Sequence, residues 1–121
     1  MARPARSVGL THLRVNLSDD FYIGPGRADL LELIAETGSI SEAAKRMGMS
    51  YKRAWSLVQA LNGGFGVLVV SSRGGAGQGG ASLTPLGQRV LDHYRAMESK
   101  TQQAIAEDVA ALRSAIVDVS E

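Results

Sequence analysis

Two helical patterns meet within GSISEAAKRMGMSYKRAWSLVQAL, residues 38–61. Ser39, followed three residues later by Glu42, predicts a capping box, in which the serine hydroxyl accepts from a backbone amide and the glutamate reaches back to the serine amide. Gly48 interrupts the helix that begins there, so we expect that helix to end near Met47. The stretch therefore contains a short helix, a tight turn and a second helix.

The second helix is predicted to begin after Ser50, whose hydroxyl can cap it, and to stop at Gly63-Gly64. Its buried face follows helical spacing: Ala54, Val58 and Leu61. The opposite face carries polar groups: Lys52, Arg53, Ser56 and Gln59. Small side chains at Ala43-Ala44 in the first helix let the two backbones cross closely, which is typical of a helix-turn-helix.

A β-hairpin and a long helix are predicted to follow. Residues 67–70 favour a strand, residues 73–80 form a glycine-rich loop, and residues 81–83 return as a strand. Such a hairpin after a helix-turn-helix is a candidate wing. Thr84-Pro85 marks the next helix start, because threonine caps helices and proline suits the first helical position. About 30 residues of helix can follow.

The segment before the helix-turn-helix predicts a strand and a first helix. Three apolar residues alternate with polar ones, as in a half-buried strand: Leu13, Val15 and Leu17. Asp19-Asp20 predicts a turn, Gly24-Pro25-Gly26 breaks the pattern again, and residues 27–36 have helical spacing. Asp29 and Glu32 fall in the early turns of that helix, where the helix dipole favours acidic groups.

Length and composition indicate one globular domain. The 121 residues are 45% hydrophobic and include no cysteine, which excludes disulfides, thiolate catalysis and cysteine-ligated zinc. No apolar run is long enough for a signal peptide or a membrane span, so we expect a cytoplasmic protein.

Charge is distributed unevenly, although the net charge is only +1. Between Ala43 and Leu91 the chain has no acidic residue and carries these cations: Lys45, Arg46, Lys52, Arg53, Arg73 and Arg89. Residues 97–121 are instead rich in acidic side chains. A cationic surface without carboxylates releases counterions from a phosphate backbone, so this distribution favours nucleic-acid binding. A solvated basic face without a partner is the alternative.

The order of these motifs resembles a known family. Residues 38–45 and 49–55, the glycine-rich loop and residues 83–89 are similar to the N-terminal domain of the ModE family of molybdate-responsive regulators, and more loosely to the LysR-type DNA-binding domain. The resemblance implies a homodimeric bacterial transcriptional regulator whose helix from Ser50 enters the major groove of DNA. It leaves three alternatives open: control of molybdenum or other metal-oxyanion genes, control of a different set of genes, or a dimer that a partner controls.

The resemblance stops before the C-terminal molybdate-binding region of that family, for which we find no counterpart up to Glu121. Molybdate binding is therefore not carried over to this chain. Control by a separate sensor protein or by an oxyanion effector stays open, and no cofactor is predicted.

Eight residues are predicted to contact DNA: Lys45, Ser50, Tyr51, Lys52, Arg53, Ser56, Gln59 and Arg73. Lys52 and Arg53 lie in the first turn of the second helix of the motif, where such proteins contact base edges and phosphates. Arg73 begins the glycine-rich loop, and an arginine there can enter a narrow minor groove. For Tyr51, packing and DNA contact are equally open, and Trp55 is expected to be at least half packed.

No catalytic, cofactor or metal site is predicted. Residues 75–80 match the GxGxxG dinucleotide fingerprint, but that chemistry needs a helix after the loop, whereas a strand is predicted. His12 and His93 are isolated from each other, and the adjacent acids Asp19-Asp20 are typical of a solvated turn.

The last helix carries an apolar stripe that one chain cannot bury alone. Its first part is Val90, Tyr94, Met97 and Thr101, and its second part is Ile105, Val109, Leu112, Ile116 and Val119. The second part follows the 4-3 spacing of a coiled coil. We therefore predict a homodimer that addresses half-sites about 34–36 Å apart, or a multiple of that distance. A helix folded back over its own domain is the alternative.

Together the patterns predict a mainly α protein with a small β-hairpin: a winged helix-turn-helix with a long C-terminal dimerisation helix. We divide it into a flexible basic arm (1–10), a DNA-binding domain (11–84) and a dimerisation helix (85–121). The predicted function is a non-enzymatic regulator that binds double-stranded DNA. The rival functions are a winged-helix module that binds another protein and an oxyanion (molybdate) sensor.

Overall fold

The computed structural model describes residues 8–73 and 79–117. Within them the chain forms, in order, β1 (Val15–Ser18), β2 (Phe21–Ile23), α1 (Pro25–Thr37), α2 (Ile40–Met47), α3 (Tyr51–Phe65), β3 (Val69–Arg73), β4 (Gly79–Leu83) and α4 (Pro85–Ser114). Strands β1 and β2 form one antiparallel hairpin and β3 and β4 form another. The mainly helical class, the hairpin after α3 and the long final helix are confirmed.

The first hairpin departs from the predicted alternating strand. β1 and β2 pair on either side of Asp19-Asp20, and the register shifts at Leu17, which has no partner on β2. A bulge of this kind re-aims the side chain of the extra residue, and Leu17 is 48% exposed. The prediction that Leu17 shares the half-buried face of Val15 is therefore wrong.

Helix α1 begins two residues earlier than the pattern predicts. Gly24 is its cap and Pro25 takes the first helical position, where the missing N–H of proline costs nothing. The Gly-Pro-Gly sequence therefore starts the helix, although it was expected to precede it as a break. The helix ends at Gly38, whose φ of 70° lies in the left-handed region that glycine adopts readily. These residues of α1 are buried: Ala28, Leu30, Leu31 and Ile34.

Two serine caps define the helix-turn-helix formed by α2 and α3. Ser39 Oγ accepts from the amide of Glu42 at 3.0 Å, as predicted. The predicted second bond of the capping box, from the Ser39 amide to the Glu42 side chain, is wrong. The Ser39 amide donates to Thr37 Oγ1 at 3.2 Å instead. Ser50 Oγ accepts from the Arg53 amide at 3.0 Å, so the predicted cap of α3 is confirmed.

Helix α3 continues through the two glycines that the sequence pattern marks as its end. A Cβ on Gly64 would overlap the ring of Phe21, so glycine makes room for α3 to pack against the first hairpin. Phe65 then meets Phe21 edge-on, with ring centroids 4.9 Å apart. This packing offsets the poor helix propensity of glycine. The predicted inward face is confirmed as buried: Ala54, Val58 and Leu61.

The second hairpin, the wing, begins later and extends further than predicted. β3 and β4 pair from Val69 with Leu83 to Arg73 with Gly79. Backbone pairing therefore continues into the glycine-rich segment, and the predicted loop boundaries, residues 73–80, are wrong on both sides. The connecting residues 74–78 lie outside the described part of the chain.

Helix α4 has the predicted start and length. Thr84 Oγ1 accepts from the amide of Gly87 at 3.0 Å, and the helix covers 30 residues. A Cβ on Gly87 would overlap the carbonyl oxygen of Leu68, so glycine lets the first turn of α4 lie directly against the backbone before β3.

Tyr94 anchors α4 in the core. Its side chain is fully buried, and its hydroxyl donates to the carbonyl oxygen of Leu13 at 2.7 Å. Burial, together with the negative charge of Glu98, raises the pKa of Tyr94 to about 12. Two turns further along, Gln102 Oε1 accepts from the amide of Leu10 at 2.6 Å, so the end of the predicted N-terminal arm contacts the same helix. Residues 1–7 of that arm lie outside the described part.

Arg95 links α4 to α1 through two carboxylates of α1 and also binds a third on its own helix. It donates to Asp29 at 2.8 Å, to Glu32 at 3.0 Å and to Glu98 at 3.0 Å. Burial lowers the pKa of this guanidinium, but the carboxylate hydrogen bonds outweigh burial and keep the pKa of Arg95 above its ordinary value. The acidic residues expected to interact with the dipole of α1 are outside its first turn, and they bind Arg95 instead.

The distal part of α4 leaves the core. Val90 and Met97 pack against the core, and Met97 is the last apolar residue that does so among those described. Leu112 is 70% exposed, and Ile116, which is 67% exposed, lies beyond the last helical residue. The first part of the apolar stripe is thus packed within the chain. In the second part Ile105 and Val109 are half-buried, whereas Leu112 and Ile116 are exposed to solvent. Val119 lies outside the described residues.

Candidate nucleic-acid interface

The outward side of α3 is polar, as predicted. Its four polar residues are exposed: Lys52, Arg53, Ser56 and Gln59. With the capping Ser50 they form what we call the recognition face. A depression of about 310 Å³ lies on this face, lined by Ser50, Lys52, Arg53, Ser56 and Leu57. It is at the N-terminal half of α3, where the helix dipole adds positive potential.

The cations near the recognition face are not neutralised by the residues that the structure describes. None of the described carboxylates forms an ion pair with Lys52 or Arg53 within 4.0 Å. Lys45 of α2 lies 3.9 Å from Glu42 with 76% of its side chain exposed. Such exposed pairs are weak, so Lys45 stays available to an anion. This surface therefore presents uncompensated positive charge.

Two aromatic side chains flank the recognition face. Tyr51 is 54% exposed and Trp55 is 41% exposed. The expectation that Trp55 is at least half packed is confirmed, and Tyr51 lies mainly on the surface. Asn62 follows Trp55 by seven residues, which is close to two helical turns, so both lie on the same side of α3. Because Asn62 bonds to β3, the aromatic pair is on the side of α3 that meets the wing.

Asn62 joins α3 to the wing. Its Oδ1 accepts from the amides of Leu68 at 2.8 Å and Val69 at 3.1 Å, and its Nδ2 donates to the carbonyl of Val69 at 3.2 Å. One side chain therefore satisfies three backbone groups where the chain enters β3. Asn62 was not among the residues predicted from the sequence. The signal that marks it is an amide side chain immediately after the buried Leu61, at the edge of an apolar stripe.

Two further hydrogen bonds fix the position of the wing. The amide of Ala81 donates to the carbonyl of Gly38 at 2.9 Å, which ties β4 to the turn between α1 and α2. Thr84 Oγ1 donates to the carbonyl of Val67 at 2.7 Å, which ties the start of α4 to the entrance of β3. The orientation of the hairpin relative to α3 is thus set by hydrogen bonds to three different elements.

Arg73 pairs with Gly79 at the far end of the hairpin. Its side chain lies outside the described part, so its minor-groove role stays a prediction. Residues 74–78 join two antiparallel strands, whereas the dinucleotide fingerprint needs a helix directly after the loop.

Other chemistries find little support in the described residues. They contain no group of three or more His, Cys, Asp or Glu side chains placed to hold a metal ion. His12 and His93 are exposed; His12 precedes β1, and His93 lies in α4. None of the helices in residues 8–73 and 79–117 has the length and apolar character needed to cross a membrane.

Residues 27–88, about half of the chain, match the family described as bacterial regulatory helix-turn-helix protein, lysR family. The chain belongs to this family. The matched residues run from α1 into the first turns of α4, so the lysR-family region includes both the recognition face and the wing. The predicted LysR-type helix-turn-helix is confirmed.

Several curated relatives have names that refer to molybdenum. The chain is 46% identical over 78 residues to the molybdenum-pterin-binding protein MopB of Rhodobacter capsulatus, which covers 64% of this chain and 29% of that protein. It is 40% identical over 93 residues to the DNA-binding transcriptional dual regulator ModE of Escherichia coli strain K12. That match covers 76% of this chain and 36% of ModE. The chain is 38% identical over 100 residues to the molybdenum transport protein ModE of Azotobacter vinelandii. That match covers 78% of this chain and 37% of the relative. The chain spans about a third of the length of these relatives, and the resemblance to ModE proteins is confirmed.

A solved structure shares the lysR-family fold. The chain is similar to one in the crystal structure of the CbnR_DBD–DNA complex, with a TM-score of 0.56 and 25% sequence identity. The match covers 72% of this chain and 95% of that chain.

Proposed function

We propose that this chain is a homodimeric bacterial transcriptional regulator that binds duplex DNA through the recognition face, with the wing beside it. The observation that carries the proposal is the exposed, acid-free recognition face on α3. The similar chain from a DNA complex and the transcriptional regulators among the relatives support it. Because several relatives have molybdenum-related names, we include molybdenum-related genes among the proposed targets.

In this proposal the N-terminal half of α3 enters the major groove. Arg53 can donate two hydrogen bonds to one guanine, and Lys52 can bind a guanine or a phosphate. Ser56 lies one turn further along, and Gln59 can form a bidentate contact with adenine. Arg73 on the wing is proposed to enter the adjacent minor groove.

Three further residues are proposed to contact the DNA beside these groups. Ser50 stands at the positive end of α3, where helix termini bind phosphate. Lys45 projects from α2 with most of its side chain in solvent. The exposed Tyr51 can offer its hydroxyl. Contacts of this kind fix the orientation of the protein on the duplex without reading its sequence.

A second copy of the chain is proposed to cover the distal part of α4. Leu112 and Ile116 are more than half exposed, and no described apolar residue after Met97 packs against the core. Burying a leucine or isoleucine side chain contributes about 1.5–3 kcal/mol, so pairing of two such helices stabilises the dimer.

Fluorescence anisotropy with labelled promoter DNA tests the proposed function. We expect the double variant Lys52→Ala/Arg53→Ala to lose at least about tenfold in affinity, because each base or phosphate contact is worth about 1–3 kcal/mol. The affinity of the unmodified chain should fall steeply as salt increases. Lys100→Gln removes one exposed positive charge from α4 and serves as the matched control. Affinity that depends neither on salt nor on these two residues would overturn the proposal.

The two rival functions give different results with the same variants. A module that binds another protein would still capture its partner with alanine at Lys52, Arg53 and Arg73. An oxyanion sensor would bind molybdate with micromolar affinity in calorimetry in the absence of DNA.

A further inference from the structure

Trp55 leaves a large aromatic surface uncovered on α3. It is 41% exposed, and among the large apolar side chains of this helix only Tyr51 is exposed as well. Tyrosine has a hydroxyl that bonds to water, whereas the indole of tryptophan is apolar apart from one N–H donor. A lone exposed aromatic residue is common on protein surfaces, so the position of Trp55 on the helix decides what it can contact.

Helical spacing places Trp55 beside the recognition face. Residues three and four apart are neighbours on a helix, so Trp55 adjoins Lys52 in one direction and Gln59 in the other. It is rotated about 60° around the helix axis from Lys52 and about 40° from Gln59. It also lies in the N-terminal half of α3, the part that is proposed to enter the major groove. A base pair next to the one that Gln59 contacts is therefore within reach of the indole ring.

The polar residues of the recognition face leave one feature of the major groove without a partner. Lys52 and Arg53 suit the acceptors of guanine, and Gln59 suits adenine. The only apolar group that a base edge presents in this groove is the C5 methyl of thymine. Thymine also presents the O4 acceptor, which can accept from the indole N–H. An exposed indole at this position therefore matches thymine better than any other base.

We propose that Trp55 is a specificity-determining residue, whose indole ring packs against the C5 methyl of a thymine next to the base pair contacted by Gln59. This inference rests on the proposed function and names one base that the site recognises. Cytosine at the same position is disfavoured, because it lacks the methyl group and carries an amino donor in place of O4. Covering the indole with a methyl group also removes apolar surface of both partners from water.

Deoxyuridine substitution tests this contact, because deoxyuridine differs from thymidine only by the missing methyl group. The probe is a labelled duplex that the unmodified full chain selects from a random-sequence library. Each thymine of this duplex is replaced in turn by deoxyuridine. Fluorescence anisotropy then measures the affinity of the chain for every substituted duplex.

Two variants remove the indole ring. Trp55→Gln introduces a polar side chain, and Trp55→Ala introduces the residue with the highest helix propensity, so the result does not depend on one substitution. Leu17→Gln is the matched control, because it removes an apolar side chain of similar exposure, 48%, from the first hairpin. Circular dichroism of each variant verifies that the fold is retained.

In the unmodified chain and in Leu17→Gln, we expect one thymine in each half-site whose replacement weakens binding about fourfold, the effect of burying one methyl group. In both Trp55 variants the same replacement should change the affinity by less than about twofold, because the methyl group has lost its partner. Their affinity for the unsubstituted duplex should fall at least about fourfold.

Two results would overturn the inference while the proposed function stands, provided that binding still depends on Lys52 and Arg53. One is that no thymine shows this effect in the unmodified chain, and the other is that the effect persists in both Trp55 variants. A loss of affinity in the Trp55 variants without any methyl effect would place the ring against the sugar–phosphate backbone instead. If the unmodified chain does not bind DNA, the proposed function and this inference fail together.

Discussion

Helices α3 and α4 each leave one side uncovered, but the two sides differ in chemistry. On α3 the uncovered side carries Lys52 and Arg53, whereas the distal part of α4 leaves Leu112 in solvent. Charged groups are well solvated in water, so the face of α3 is stable without a partner. An exposed apolar stripe is stabilised only when another surface covers it. The face of α3 suits reversible binding of a polyanion, and the distal part of α4 suits a stable protein interface.

The two helices also differ in how they are anchored. Helix α3 buries Ala54, Val58 and Leu61 along most of its length. Helix α4 is buried only near its start, at Gly87, Leu91 and Tyr94. The stability of the fold should therefore depend on few positions of α4, and on the inner side of α3 only.

The largest expected effect comes from Gly87→Ala. A Cβ at this position would overlap the Leu68 carbonyl oxygen, which is backbone and cannot move aside cheaply. We expect the free energy of unfolding to fall by about 3 kcal/mol or more, within the range of severe core substitutions. Urea denaturation at fixed protein concentration measures it.

Gly63→Ala is the matched control for that experiment. It makes the same substitution inside helix α3, where a Cβ would meet nothing within 4 Å. Alanine should stabilise this helix by roughly 0.5–1 kcal/mol. Equal effects at Gly63 and Gly87 would contradict the close approach of α4 to the Leu68 backbone.

Tyr94→Phe should have the next largest effect, and it should depend on pH. The folded-state pKa of Tyr94 is about 12 against an ordinary value of 10.0. Stability from the neutral hydroxyl is thus complete below pH 10 and is lost as pH rises through 12. We expect a loss of up to about 2–3 kcal/mol over this window in the unmodified chain. Phenylalanine should remove that pH dependence and cost about 1 kcal/mol at pH 7, through the lost bond to Leu13. If the free energy of unfolding fell equally with rising pH in both chains, the role of the Tyr94 hydroxyl in anchoring α4 would be contradicted.

Leu112→Gln tests the uncovered side of α4. We expect dimerisation, measured by analytical ultracentrifugation, to weaken by at least about a hundredfold, since each of the two leucines in a dimer contributes about 1.5–3 kcal/mol when buried. The proposed dimer would be untenable if the unmodified chain stayed monomeric at high concentration. Lys100→Gln, on the same helix, should leave the association constant unchanged.

The smallest effect on stability is expected for Lys52→Ala/Arg53→Ala. Neither side chain is buried or paired with a described carboxylate, so the free energy of unfolding should change by no more than about 0.5 kcal/mol. A larger loss in thermal or urea unfolding would mean that these residues support the fold, and their loss of DNA binding would then have a structural cause.

Local signals predicted most of the fold. Caps at Ser39, Ser50 and Thr84 fixed the starts of three helices because a hydroxyl and a nearby amide are neighbours in sequence. The errors arose where distant residues meet. Gly64 stays helical because it packs against Phe21 of the first hairpin.

The candidate site was predicted in part. The exposed side of α3 follows from helical spacing, so its polar residues could be named from the sequence. The ion pairs of Arg95 could not be predicted in this way, because its carboxylate partners Asp29 and Glu32 are more than sixty residues away in sequence. The eight DNA contacts and the division into three segments stay predictions.

The link between Arg95 and α1 makes the rest of α4 a lever. From Arg95 to Ser114 the helix extends for about 28 Å at about 1.5 Å per residue. A rigid rod held at one end amplifies any rotation at its fulcrum, and a tilt of about 10° would displace the far end by about 5 Å, more than the rise of about 3.4 Å between base pairs. The ion pairs of Arg95 therefore control the position of the far end of α4, about 28 Å away. In the proposed dimer, a tilt of this size near Arg95 would change the distance between the two recognition faces by more than one base-pair step.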